Sequence, residues 1–114
     1  MSGITTHVLD LAHGHPARGI PVRLELHRPG EGWIPLAERV TNEDGRVPDL
    51  IAAGARLDVG IHRLTFLAGR YFSDLGSQCF YPEVVITFEV TDAAQHYHVP
   101  LLLSPFGYTT YRGS

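Results

Sequence analysis

A single cysteine, Cys79, stands in the 114 residues, so no disulfide can close within the chain, which fits a reducing compartment. Cys79 itself reads as a small buried or half-buried hydrophobe. No apolar run approaches the roughly 20 residues of a membrane-spanning helix. Basic clusters are missing as well, and the formal charge is −3. Both features argue against nucleic acid or an anionic membrane surface as partner. The opening Met1-Ser2-Gly3-Ile4 lacks a basic n-region and an apolar h-region, so no secretory signal is expected and a cytoplasmic location is. Neither repeats nor linkers interrupt the chain. A single domain over residues 1–114 follows, large enough for a core but small enough to need efficient burial or an oligomer.

What is present is strand after strand. Ile4 to Asp10 reads as a first strand with Thr5, His7 and Leu9 on one face. His13 to Gly19 is a loop by its glycine and proline content. Ile20 to His27 alternates apolar and polar residues as a half-buried strand does, and Trp33 to Thr41 forms another. Asn42-Glu43-Asp44-Gly45 makes a tight turn, with Arg46 directly after it. Ala55 to Arg63 is a further strand, with Leu57, Val59 and Ile61 facing inward. Leu67 to Leu75 carries apolar residues at three-and-four spacing, the pattern of one helix face, and Gly76 sits at its stop. Val84 to Val90 is the strongest strand of all.

The last nineteen residues form a hairpin with chemistry on one side. His96, His98, Pro100 and Leu102 share one face, and Tyr97, Val99, Leu101 and Leu103 share the other, which is a good core face. Ser104-Pro105-Phe106-Gly107 has the residues of a turn, and Tyr108 to Tyr111 returns as a strand. Two imidazoles thus stand opposite the core, two residues apart. Seven or eight short strands with one short helix predict an all-β, antiparallel β-sandwich.

Three stretches resemble one family: Ile4 to Asp10 with Gly14, Pro16-Ala17 and Gly19; the turn Thr41 to Arg46; and the tail ending Tyr111-Arg112-Gly113-Ser114. The family is 5-hydroxyisourate hydrolase, the transthyretin-related enzyme of urate breakdown, and the likeness spans essentially the whole chain. It implies a transthyretin-like (prealbumin-like) two-sheet sandwich, assembled as a homotetramer, a dimer of dimers with active sites in the channel between them. The implied reaction converts 5-hydroxyisourate to 2-oxo-4-hydroxy-4-carboxy-5-ureidoimidazoline without a cofactor. Transthyretin, a small-molecule carrier of the same fold, is the alternative relative. It has lysine, glutamate and threonine where this chain has His7, Arg46 and His98, and it lacks the terminal Tyr-Arg-Gly-Ser.

The resemblance assigns catalysis to His7, Arg46 and His98, and substrate binding to His7, Arg46, Tyr111 and Ser114. Hydrolysis of a cyclic acyl-urea needs an activated water and a stabilised oxyanion. An imidazole with an ordinary pKa of about 6.5 can take a proton from water near neutrality. A guanidinium stays charged and offers a planar fork of donors. Which imidazole is the base stays open at this level. Tyr111 is expected at the channel floor, and Ser114 offers a hydroxyl and a carboxylate to orient an imidazole. His96 reads as a rim residue. His7, His96 and His98 together raise the idea of hydrolytic zinc, but a His-x-His pair on a strand is a weak signal and the family works without metal, so none is expected. His13, His15, His27 and His62 read as loop or solvent-face residues. A serine triad has no nucleophile elbow here, and Cys79 has no base beside it.

Overall fold

The computed structural model describes residues 3–51 and 55–114; residues 1–2 and 52–54 lie outside the description. Nine strands and one helix follow in order among the described residues: β1 (Gly3–Asp10), β2 (His15–Pro16), β3 (Pro21–Arg28), β4 (Gly32–Val40), β5 (Arg46–Ile51), β6 (Gly60–Phe66), α1 (Gly69–Asp74), β7 (Val84–Val90), β8 (His96–Ser104) and β9 (Gly107–Thr110). One sheet runs β2-β1-β8-β9, with β5 also pairing β1. The other runs β4-β3-β6-β7.

The two sheets form a sandwich because each strand presents alternate residues inward. Ile4, Val8, Leu101 and Leu103 of the first sheet are fully buried, as are Leu24, Leu64, Phe66 and Val84 of the second. The expected alternation of the terminal hairpin holds: Tyr97, Val99, Leu101 and Leu103 line the core, while His96 is exposed and His98 half-buried on the outer face. One departure from an all-antiparallel sandwich is central to the site. β1 and β8 run parallel, with Thr5 opposite His98 and His7 opposite Pro100.

The expected strand from Ala55 to Arg63 is displaced. Pairing with β3 and β7 covers Gly60 to Phe66, and His62 meets Leu26 on one side and Phe88 on the other. That register turns His62 in, at 0 % exposure; Leu57 is buried as expected, while Val59, just before the strand, is 60 % exposed. Period two allows no compromise, since moving by one residue exchanges the two faces. His62 is therefore a core residue and not a solvent-face one. The helix is also shorter than Leu67 to Leu75: Leu67 and Leu75 are exposed, and only Phe72 of α1 is buried. It is docked by Tyr71, whose hydroxyl donates to buried Asp10 Oδ2 at 2.6 Å. His13 donates its backbone N–H to the other carboxylate oxygen, and its Nδ1 lies 2.7 Å from Oδ2. Burial alone would push the Asp10 carboxyl up, but these bonds outweigh it and hold it below its usual range.

His62 carries a consequence for stability. Its Nδ1 meets the Gly60 carbonyl at 3.1 Å, while its buried Nε2 has no hydrogen-bond partner among the described residues. Burial lowers its pKa, against weaker opposing effects of that carbonyl and Asp58. The folded state therefore resists the proton that the unfolded chain accepts. Stability is fully present above the ordinary imidazole pKa of about 6.5 and falls below it, with a slope approaching about 1.4 kcal/mol per pH unit from this group. Urea unfolding of the wild type and His62→Phe should show it: the wild type loses more stability between neutral and mildly acidic buffer. Equal pH dependence in both would remove His62 as the cause.

Candidate active site

The outer face of the first sheet gathers the chemistry. β1 supplies Thr5 and His7, β8 supplies His96 and His98, and β5 supplies Arg46 and Pro48. Arg46 pairs directly with His7 across the antiparallel β1–β5 ladder. Thr5, Arg46, Pro48, His96, His98 and Ser114 border a shallow depression of about 240 Å³. His7 stands at its edge, fixed by its two ladder partners Arg46 and Pro100.

Arg46 reaches this place through the turn before it. Asn42 Oδ1 accepts from the backbone N–H groups of Asp44 and Arg46, at 2.9 and 3.0 Å. The Gly45 N–H donates to the Asn42 carbonyl, and the Gly45 carbonyl accepts from Val8 N–H at 2.7 Å. Gly45 has φ +72°, and a Cβ there would collide with the Val8 carbonyl oxygen. Gly45→Ala is therefore expected to cost at least about 2 kcal/mol, since left-handed backbone alone costs roughly 1–2 kcal/mol. Urea denaturation measures it, and an unchanged midpoint would refute the close approach. β5 itself was not foreseen from the sequence beyond Arg46, because Pro48 and the short Val47–Leu50 spacing obscure its alternation.

The tail closes over the depression. Gly113 N–H donates to the His98 carbonyl at 2.8 Å, forming an isolated bridge between the two residues. A Cβ on Gly113 would stand 2.6 Å from His98 Cδ2 and 3.3 Å from Pro100 Cγ. Arg112 anchors the segment by stacking its guanidinium 4.5 Å above the Tyr97 ring and donating to Gln95 Oε1 at 2.9 Å. Tyr111 lies elsewhere. It is 55 % exposed and borders a separate cleft of about 220 Å³ with Ile86, Phe88, Tyr97 and Val99. Within one chain the phenol and the imidazoles thus line different hollows.

Electrostatics separate the imidazoles. Burial lowers the pKa of His98, and the Arg46 guanidinium, His96 and His7 lower it further, against a smaller opposing effect of the Thr5 backbone. His98 is accordingly a neutral imidazole near pH 7, the form that accepts a proton. The sequence reading missed Thr5. Its Oγ1 lies 2.8 Å from His98 Nδ1 and 2.9 Å from His96 Nε2. Thr5 shares the face of His7 by simple alternation, but only the parallel β1–β8 register sets it beside His98. Thr5 thus orients the His98 ring, and Ser114 borders the same depression. His13 sits in the turn that follows β1, as read, whereas His15 belongs to the short strand β2, paired with Asp10, and faces solvent; His27 is exposed.

A sandwich with imidazoles and a guanidinium on the outer face of one sheet defines a class, and comparison with known proteins agrees. The family model described as HIUase/Transthyretin family matches residues 4–113. The chain belongs to the HIUase/Transthyretin family. It is 49 % identical over 118 residues to a 5-hydroxyisourate hydrolase from Caulobacter vibrioides, covering 100 % of both chains. The solved 5-hydroxyisourate hydrolase of Klebsiella pneumoniae superposes with TM-score 0.82 at 38 % identity, over 100 % of this chain and 94 % of that one. Transthyretin from Sparus aurata superposes with TM-score 0.90 at 28 % identity, over 99 % and 97 %.

Proposed function

We propose that this chain is an enzyme that hydrolyses 5-hydroxyisourate to 2-oxo-4-hydroxy-4-carboxy-5-ureidoimidazoline in urate breakdown. The observation that carries the reading is the His98 imidazole lining one depression with the Arg46 guanidinium, where burial and that charge hold its pKa down, on a chain alike from end to end to a named hydrolase. His98 takes a proton from water. The resulting hydroxide attacks the substrate carbonyl, and Arg46 donates to the oxygen that becomes negative. Preorganised donors of this kind contribute roughly 3–4 kcal/mol to a transition state. His7, which pairs with Arg46 in the ladder, donates a proton to the departing ring nitrogen and regains one from solvent. Ser114 contributes a hydroxyl to substrate binding. A carrier of large aromatic ligands needs an apolar lining, and this face offers the opposite.

The assay generates 5-hydroxyisourate in place from urate with urate oxidase and follows its ultraviolet decay. Decay at the spontaneous rate in the presence of protein would sink the reading. Because the roles fall on imidazoles and a guanidinium, dialysis against EDTA is expected to leave the rate intact. A loss that zinc restores would overturn the metal-free scheme.

The depression is open on one chain, and an open site leaves Arg46 and the imidazoles in water, where their effects are weakest. A homotetramer encloses it. Support comes from β7 and β9, which end their sheets with no second neighbour among the described residues, and from exposed Leu11 and Phe106. Free edges invite edge-to-edge pairing into a dimer, and two outer faces meeting across a two-fold axis then form a channel. Among the described residues no helix is long and apolar enough to cross a membrane, and the proposed place of action is the cytoplasm. Sedimentation should give the mass of four chains; a fully active monomer would refute the shared channel.

A further inference from the structure

Three side chains form a continuous line across the outer face: His98 Nδ1 to Thr5 Oγ1 at 2.8 Å, and Thr5 Oγ1 to His96 Nε2 at 2.9 Å. The parallel register places Thr5 beside His98 and Gly3 beside His96. A Cβ at Gly3 would make only ordinary contact with the His96 ring, 3.5 Å from its Nδ1, so the neighbouring backbone leaves that ring in place. A hydroxyl has one proton to give and accepts others. We propose that Thr5 is a positioning residue that fixes the tautomer of His98 and passes the proton His98 takes up on to His96. This rests on the reading of His98 as the base.

The order of protons follows from what each atom can do. In the resting site His98 donates its Nδ1–H to Thr5 Oγ1, and Thr5 donates its O–H to His96 Nε2. His98 Nε2 then keeps its lone pair for water. When water gives a proton to Nε2, the Nδ1–H bond breaks and that proton joins Oγ1. The former hydroxyl proton moves to His96 Nε2 in the same step. One O–H of water is lost and hydroxide is released to the carbonyl. His98 ends neutral with its proton on Nε2, threonine is unchanged, and the single positive charge ends on His96. The direction has a physical reason. Half-buried His98 faces Arg46 from β5, His7 from β1 and His96 from β8, so a charge held there is repelled. His96 is exposed, and water solvates a charge on it.

The sequence could show Thr5 and His7 on one face and His96 and His98 on another, but not that a single hydroxyl joins the two histidines. Thr5→Val keeps the shape and strand preference of the residue and removes only the relay. The expected result is a loss of roughly 10–100-fold in kcat, a share of the 10²–10⁴ that general acid–base catalysis supplies. KM should stay within about twofold, since valine keeps the size and shape of the Thr5 side chain at the border of the depression. Thr5→Ser, which keeps the hydroxyl, should recover most of the loss. His96→Ala should add little in the Thr5→Val background, because the chain is already broken. Nitrogen-15 spectra of the histidines, recorded without substrate, should show His98 protonated on Nδ1 in the wild type and shifted toward Nε2 in Thr5→Val. Wild-type kcat in Thr5→Val, a Thr5→Ser as slow as Thr5→Val, or an unchanged His98 tautomer would each overturn the relay. A wild type without hydrolase activity is a different failure, of the reaction itself, and it leaves the tautomer measurement to decide the positioning role.

Discussion

Arg46→Gln should lower kcat/KM for 5-hydroxyisourate by about 10²–10³, the loss that follows removal of one preorganised oxyanion donor, and should move the acid limb of the pH profile upward. The second effect is the more diagnostic. In the proposed scheme His98 is the base and works only when neutral, so activity should fall as pH drops through its pKa. Burial first, and the Arg46 charge next, hold that pKa below the ordinary imidazole value. Taking the guanidinium away removes a repulsion of the imidazolium, and the pKa rises. At mildly acidic pH the variant then loses proportionally more activity than the wild type. His98→Asn should lose roughly 10²–10⁴ in kcat and abolish the limb. Measuring kcat/KM between about pH 5 and 8 checks all of this. An Arg46→Gln limb that stays in place or moves downward would break the link between the two residues.

Deleting Tyr111-Arg112-Gly113-Ser114 should abolish hydrolysis while far-ultraviolet circular dichroism still reports a β-rich fold. The core does not depend on these residues: Tyr111 and Arg112 are exposed, and the buried set ends at Leu103. The site does depend on them. The deletion removes the Gly113 bond to the His98 carbonyl and the Arg112 stack on Tyr97, and it opens His98 to solvent. Gly113→Ala is the finer test. The new methyl would meet the His98 ring at 2.6 Å, and that ring is held on its far side by Thr5, so it must leave one contact or the other. A loss of at least about tenfold in kcat, with thermal stability nearly unchanged, is expected from such a misplaced base. If Gly113→Ala were fully active, the close approach would be without functional meaning. Sedimentation of the deletion variant adds a second readout, since the proposed tetramer should weaken.

Much of this arrangement was legible beforehand, because alternation is a local property. His96 and His98 had to oppose Tyr97, Val99, Leu101 and Leu103 once the segment was a strand, and so they do. The same rule placed Thr5 and His7 together. The turn at Asn42 to Gly45 followed from residue types that accept positive φ and bond their own backbone. Where the local pattern was ambiguous, it misled. Ala55 to Arg63 holds apolar residues at 57, 59 and 61; Leu57 is buried as expected, but only pairing with Leu26 and Phe88 shows that His62 also turns inward. A short strand carries two possible faces, and its neighbours select between them.

The chain by itself therefore determined which side chains share a face, which segments turn, and, through its resemblance, what chemistry to expect. Tertiary structure decided what meets across strands. The parallel pairing of β1 with β8 sets Thr5 between two histidines that lie more than ninety positions further along the chain. The β1–β5 ladder sets Arg46 against His7, and the fold sends Tyr111 to a different hollow from Ser114. Periodicity is written in neighbouring residues, whereas register between distant strands depends on core packing, which no local stretch of sequence contains.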